Sequence, residues 1–298
     1  VVSPAAIVVN AATGRVLYER DATTRRPMAS TTKIMTAMLV LEALPLDRMI
    51  TVSEKAGRTY EPKALLRPGD RLTVEQLLYA LTVRSSNGAA VALAEVVDGS
   101  EEAFVEHMND RAERMGLADT RFANPHGLDG EGHYSTAADM AALARAAMTD
   151  EVFCEFVNTR SYSLALPGRD AEELTNTNKL LTRGDWVTGV KTGLTPRAEQ
   201  CLVASASRDG VSVISVVLGQ PSSDICWNES GALLEYGLAQ YRHLTLMQEG
   251  TAVAQSTVPY NVDGTIRLVT AAPVEIELYK DDEVTTLVSL DRPLELPV

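Results

Sequence analysis

The chain has 298 residues, 45% hydrophobic and 22% charged, enough for a large buried core and about two domains. Its formal net charge of -13 argues against nucleic-acid binding, which needs a basic surface, and no apolar run reaches transmembrane length.

In chain order, residues 5–19 read as an opening hairpin. After Pro27, the run Ile34, Met35, Ala37, Met38, Leu39, Leu41, Ala43 and Leu44 predicts a helix that starts at Ser30 and is buried on most faces. Residues three apart share a helix face, so this start would bring the Ser30 hydroxyl and the Lys33 amine together in the first turn. A Ser-x-x-Lys pair of this kind replaces the usual histidine base with a lysine. A lysine that works as a base at neutral pH must lose about three pKa units relative to its ordinary ~10.4, on the order of 4 kcal/mol. Burial and a second cation can supply that shift, and Lys191 is the candidate cation. Taken alone, Ser30 would be read as a helix cap and Lys33 as a solvated lysine.

Residues 72–83 have helical spacing, and a second apolar helix is expected over 89–97, within a helical middle running from 31 to 147. Ser85-Ser86-Asn87 lies on the tight connection between these helices, where a loop can hold polar groups over a cleft. Farther on, residues 187–218 predict three consecutive strands with turns near Thr195-Pro196 and Asp209-Gly210. Lys191-Thr192-Gly193 falls in the first of them. On a sheet edge it would offer a cation, a hydroxyl and an unobstructed backbone to an extended peptide. A helix is expected over 230–241. Beyond residue 250 the helical period gives way to short strand-like segments at 265–269, 274–279 and 284–290, with Asp263-Gly264 among the separating turns.

Three strings in this order, Ser30-Thr31-Thr32-Lys33, Ser85-Ser86-Asn87 and Lys191-Thr192-Gly193, carry a resemblance to the penicillin-binding proteins. It is closest to the low-molecular-mass D-alanyl-D-alanine carboxypeptidases and extends through residues 14–18, 29–36, 91–95, 124–129, 132–137, 176–181 and 234–237. It covers 1–243. The resemblance implies an α+β fold in which an antiparallel five-stranded sheet is flanked by helices. A catalytic domain would span 1–243 and a small all-β domain 244–298.

The same resemblance implies that Ser30 attacks the penultimate D-alanine carbonyl of a peptidoglycan stem peptide, with Lys33 as general base. Ser85, Asn87 and Lys191 would complete the proton relay, Thr192 would contact the substrate carboxylate, and Gly193 and Leu194 would line the binding strand. The N–H groups of Ser30 and Leu194 would form the oxyanion hole. β-Lactams would acylate the same serine. No cofactor and no metal is implied. The expected location is extracytoplasmic, with a signal peptide removed before Val1 and any membrane anchor beyond this sequence.

Four positions depart from the family pattern as aligned. Gly88 stands where Asp is common, Ala198-Glu199 where Ala-Gly is expected, and Cys226 and Thr177 where many or some members carry arginine. The last two bear on carboxylate recognition, because a thiol cannot replace a bidentate guanidinium. Glu172-Glu173-Leu174-Thr175-Asn176 mimics the deacylation string of class A β-lactamases but lies too close to Lys191, and a surface turn is expected there. A β-lactam adduct should then turn over slowly. The rival readings are a β-lactamase-like hydrolase and a non-catalytic wall-binding protein, and the intact motifs argue against decay.

The three cysteines form no metal-ligand cluster, and their odd number excludes complete pairing. Cys201 reads as a small buried apolar residue, while a Cys154–Cys226 bridge stays open. His126 and His133 read as loop-organising hydrogen bonders.

Overall fold

The computed structural model describes residues 1–257 and 265–289. The chain forms two compact units: Val1–Arg208 with Ser212–Leu238, and Asp209–Val211 with the chain from Ala239 onward.

The larger unit opens with the hairpin β1 (Ala5–Asn10) and β2 (Val16–Arg20), paired antiparallel. A 3-10 turn, Ala29–Thr32, leads into α1 (Lys33–Ala43), so the helix expected from Ser30 begins three residues later. The reason is local. Ala29 takes a left-handed φ of 49°, and the Thr31 and Thr32 hydroxyls donate to the carbonyls of Met28 and Ala29 at 2.6 and 2.8 Å, which holds the tighter turn.

A small sheet of β3 (Met49–Thr51) and β4 (Arg71–Thr73) brackets α2 (Glu54–Arg58). Then come α3 (Val74–Thr82) and α4 (Asn87–Asp98). A capping box between Thr73 and Gln76 starts α3, the Ser86 hydroxyl caps α4, and Gly99 in a left-handed conformation ends it. Helices α5 (Glu101–Arg114), α6 (Ala137–Ala147) and α7 (Glu151–Asn158) follow. Next is the hairpin β5 (Ser161–Leu164) and β6 (Glu172–Thr175), so the stretch expected as a surface turn is a strand.

The strands β7 (Val187–Thr195), β8 (Glu199–Arg208) and β9 (Val211–Gln220) join the opening hairpin in one five-stranded sheet of order β2-β1-β9-β8-β7, and α8 (Ser223–Leu238) packs on it. Both faces are covered, which explains why β1 is buried at every position. Ala5, Ile7, Val9, Cys201, Val203, Ile214 and Val216 join the core made with the preceding helices. Val8 and Val213 point the other way, toward α8, where a side chain at Gly237 would meet them at 3.0 and 3.3 Å. The motif strand β7 is left at the edge.

Helix α8 starts seven residues before the expected position and stops at Leu238, because Tyr241 already belongs to β10 (Tyr241–Met247). In the smaller unit β10 pairs with β13 (Val274–Tyr279), and β11 (Ala252–Thr257) with β12 (Thr265–Val269). The strand expected at 284–290 is not formed over the described residues 284–289, where Leu287 is 90% exposed and has no sheet to join. Leu290 and the turn at Asp263-Gly264 lie outside the described residues. Among the described residues no helix is long and apolar enough to cross a membrane.

Candidate active site

The turn that carries Ser30 is held from two sides by glycines that let backbone approach backbone. A Cβ on Gly127, whose φ is +92°, would stand 2.0 Å from the Ala29 carbonyl oxygen. A Cβ on Gly193 would stand 2.9–3.0 Å from Ala29 Cβ, the Met28 oxygen and the Ser30 nitrogen. The 123–135 loop and strand β7 therefore clasp residues 28–30 between them.

Buried histidines organise that loop. His133 Nδ1 accepts the Ala123 N–H at 3.0 Å and its Nε2 meets Thr32 Oγ1 at 2.9 Å; His126 Nδ1 accepts the Leu128 N–H at 3.2 Å. Each ring is neutral in this pattern, with a protonated Nε2. Burial, the first cause in each case, lowers His126 to about 3 and His133 to about 4. Below pH 6.5 the unfolded chain binds protons that the folded state refuses, so stability is complete above that pH and is lost as pH falls. The slope is about 1.4 kcal/mol per pH unit for each histidine. We expect urea denaturation to show the His133→Gln variant losing less stability than the parent between pH 6.5 and 4; an identical slope would remove His133 from the effect.

Lysine 33 is 1% exposed, and its Nζ lies 2.9 Å from Ser30 Oγ, 2.7 Å from Asn87 Oδ1 and 2.6 Å from the His126 carbonyl oxygen. Burial first, then the charge of Lys191, holds its pKa well below the ordinary lysine value, while Glu61 opposes the shift. Lys191 is 2% exposed, donates to the Thr192 carbonyl at 3.2 Å, and is lowered by burial to about 7. Two ammonium groups in this dry pocket repel, so the pair favours one neutral amine near neutral pH. The lysine beside the serine can then accept its proton.

Asn87 opens α4 and presents its Oδ1 to Lys33, while its Nδ2 donates to the Tyr60 carbonyl at 2.7 Å. Ser30, Lys33 and Asn87 are thus in direct contact, and the charge of Lys191 acts on Lys33. Ser85, half-buried at φ 65° just before the Ser86 cap, makes no hydrogen bond through its hydroxyl among the described residues. Thr192 Oγ1 meets Thr177 Oγ1 at 2.7 Å, and Leu194 stands 63% exposed on the edge strand.

The departures have structural readings. An aspartate at 88 would not fit, since even a Cβ there would lie 2.7 Å from the Ala56 carbonyl oxygen. Glu199 adopts φ 55°, the conformation a glycine would take without strain. Cys226 is buried in α8 and its thiol is raised by burial to about 12; all three cysteines are free, so no Cys154–Cys226 bridge forms. Glu172 pairs with Lys63. Sequence reasoning missed Glu61, whose carboxylate accepts the Asn87 N–H at 2.9 Å, and nothing in its local pattern marked it.

Residues 1–222 match the family model described as D-alanyl-D-alanine carboxypeptidase. The chain belongs to this carboxypeptidase family. Among relatives, D-alanyl-D-alanine carboxypeptidase DacF of Bacillus subtilis is 35% identical over 284 residues, covering 94% of this chain and 73% of the relative. DacC of Escherichia coli is 37% identical, covering 84% of this chain and 64% of its own length. The crystal structure of the Streptomyces K15 DD-transpeptidase superposes with a TM-score of 0.76 at 34% identity, covering 80% of this chain and 98% of that one. Like these carboxypeptidase relatives, the chain is a serine-type enzyme with a central antiparallel sheet.

Proposed function

We propose that this chain removes the terminal D-alanine from peptidoglycan stem peptides through an acyl-enzyme on Ser30. The observation that carries the reading is the 2.9 Å contact between the Lys33 amine and Ser30 Oγ, inside a pocket that disfavours the ammonium form. Neutral Lys33 takes the serine proton as Oγ attacks the penultimate D-alanine carbonyl. The N–H groups of Ser30 and Leu194 receive the oxyanion, a contribution of roughly 3 kcal/mol for each good donor. Collapse breaks the peptide bond, terminal D-alanine leaves with a proton on its amine, and water then hydrolyses the ester to restore Ser30.

The place of β7 at the sheet edge, with Gly193 packed against the Ser30 backbone, supports binding of an extended peptide along this strand. A β-lactam enters the same chemistry by opening its ring on Ser30. Glu172, the carboxylate that mimics a deacylating base, is engaged with Lys63, which supports slow release over β-lactamase turnover. Because the substrate is cell-wall peptide, the proposed place of action is outside the cytoplasm. Release of D-alanine from a peptide ending in D-Ala-D-Ala, absent in Ser30→Ala, tests the reading; unchanged release in that variant would end it.

The side chain at 177 bears on how the substrate carboxylate is held. Thr177 touches Thr192 directly, so a guanidinium at 177 would reach the same anion. Thr177→Arg is expected to raise the preference for a free carboxylate over its amide in kcat/KM roughly ten- to a hundredfold, the worth of a charge-assisted hydrogen bond. An unchanged ratio would locate carboxylate recognition elsewhere.

A further inference from the structure

We propose that Glu61 is a positioning residue of the acylation machinery: its carboxylate anchors the Asn87 backbone beside the Tyr60 carbonyl that turns Asn87 Oδ1 toward Lys33, and its negative charge lies on the Lys33 side of the site. The inference rests on the roles given above to Ser30 and Lys33. The segment between α2 and β4 passes over the start of α4, where Glu61 Oε2 accepts the Asn87 N–H at 2.9 Å and Oε1 accepts the Leu65 N–H at 2.9 Å. One residue earlier, the Tyr60 carbonyl accepts Asn87 Nδ2 at 2.7 Å.

This geometry decides which end of the Asn87 amide meets the catalytic lysine. With Nδ2 committed to Tyr60, only Oδ1 is left for Lys33, at 2.7 Å. An amide turned the other way would present a donor to a donor. Helix α4 already has a cap in Ser86, whose Oγ accepts the Ala89 N–H at 3.2 Å, so Glu61 is not needed merely to start the helix. The segment itself is tied down from the β5–β6 side: Lys63 pairs with Glu172, Arg169 pairs with Asp70, and Arg169 donates to the Leu65 carbonyl at 3.2 Å.

The second half of the role is electrostatic. Glu61 is one residue removed from Lys33, because Asn87 bonds Glu61 through its N–H and Lys33 through its Oδ1; the other titratable groups acting on Lys33 are Lys191 from β7 and His126 and His133 from the 123–135 loop. The histidines are neutral, so Glu61 supplies the negative charge set against Lys191. It favours the protonated lysine, and its removal lets Lys33 become neutral at lower pH.

The test is the pH profile of the second-order rate of acylation by a fluorescent penicillin, from pH 5 to 9, in the parent, Glu61→Gln and Glu61→Asp. Gln keeps the shape but not the charge and can accept only one of the two N–H groups. Its plateau rate is expected to fall roughly tenfold, and its acid limb to move to lower pH. Asp keeps the charge but is one methylene short, so its limb should stay near the parent's while the plateau falls. A purely structural role would lower the rate and leave the limb in place, and an unmoved limb in Glu61→Gln overturns the proposal. If the Gln variant fails to fold, the Asp variant decides, and a parent-like plateau there overturns it. Absence of acylation at Ser30 in the parent would instead refute the underlying mechanism, so the two failures are distinct.

Discussion

Replacing Lys33 with alanine is expected to slow acylation of Ser30 by penicillin roughly 10²- to 10⁴-fold, the usual contribution of a positioned general base. The amine lies within hydrogen-bonding distance of the Ser30 hydroxyl, and burial together with Lys191 keeps it from holding its proton as an exposed lysine would. The loss should fall on the chemical step. Reversible binding should survive, because edge strand β7, the strand proposed to bind substrate, is untouched, so the limiting acylation rate drops while the apparent dissociation constant changes little. Stopped-flow acylation across inhibitor concentrations separates these quantities. A nearly unchanged limiting rate would mean that the base is another group.

The second large effect is expected at a residue that performs no chemistry. Gly127→Ala places a Cβ where the Ala29 carbonyl oxygen stands 2.0 Å away, at a φ of +92° that a side chain tolerates poorly. None of the atoms it would meet is a flexible side-chain end that can swing aside; all are backbone of Ala29 and Ser30, in the turn that carries Ser30. The variant is expected to lose about 3 kcal/mol or more of stability and most of its penicillin labelling together. Gly193→Ala, with its closest approach at 2.9 Å, should be milder in stability. Urea denaturation and labelling of Gly127→Ala check the claim, and parent-like values for both would show that the loop can retreat.

Much of the site was legible in sequence because local periodicity carries it. Ser30 and Lys33 sit three apart at the head of an apolar run, and Lys191-Thr192-Gly193 sits in the first of three strand-like segments. What the sequence could not convey was set by tertiary packing. Ser30 was expected in the first turn of a helix, but the close approach of Gly127 and Gly193 accompanies a 3-10 turn with Ala29 at positive φ. Glu61 was invisible, since a single glutamate beside a proline has no period and its partner Asn87 is distant in sequence. In the smaller unit, 284–289 has strand-like composition but finds no paired edge, while β10 was missed because it follows α8 almost directly.

The central claim, that Ser30 is the nucleophile of this constellation, is tested most directly by labelling the protein with a fluorescent penicillin, digesting it and identifying the modified peptide. The account predicts one covalent adduct on the peptide containing Ser30-Thr31-Thr32-Lys33, and none in Ser30→Ala. An adduct on any other residue, or labelling that persists in Ser30→Ala, would contradict it.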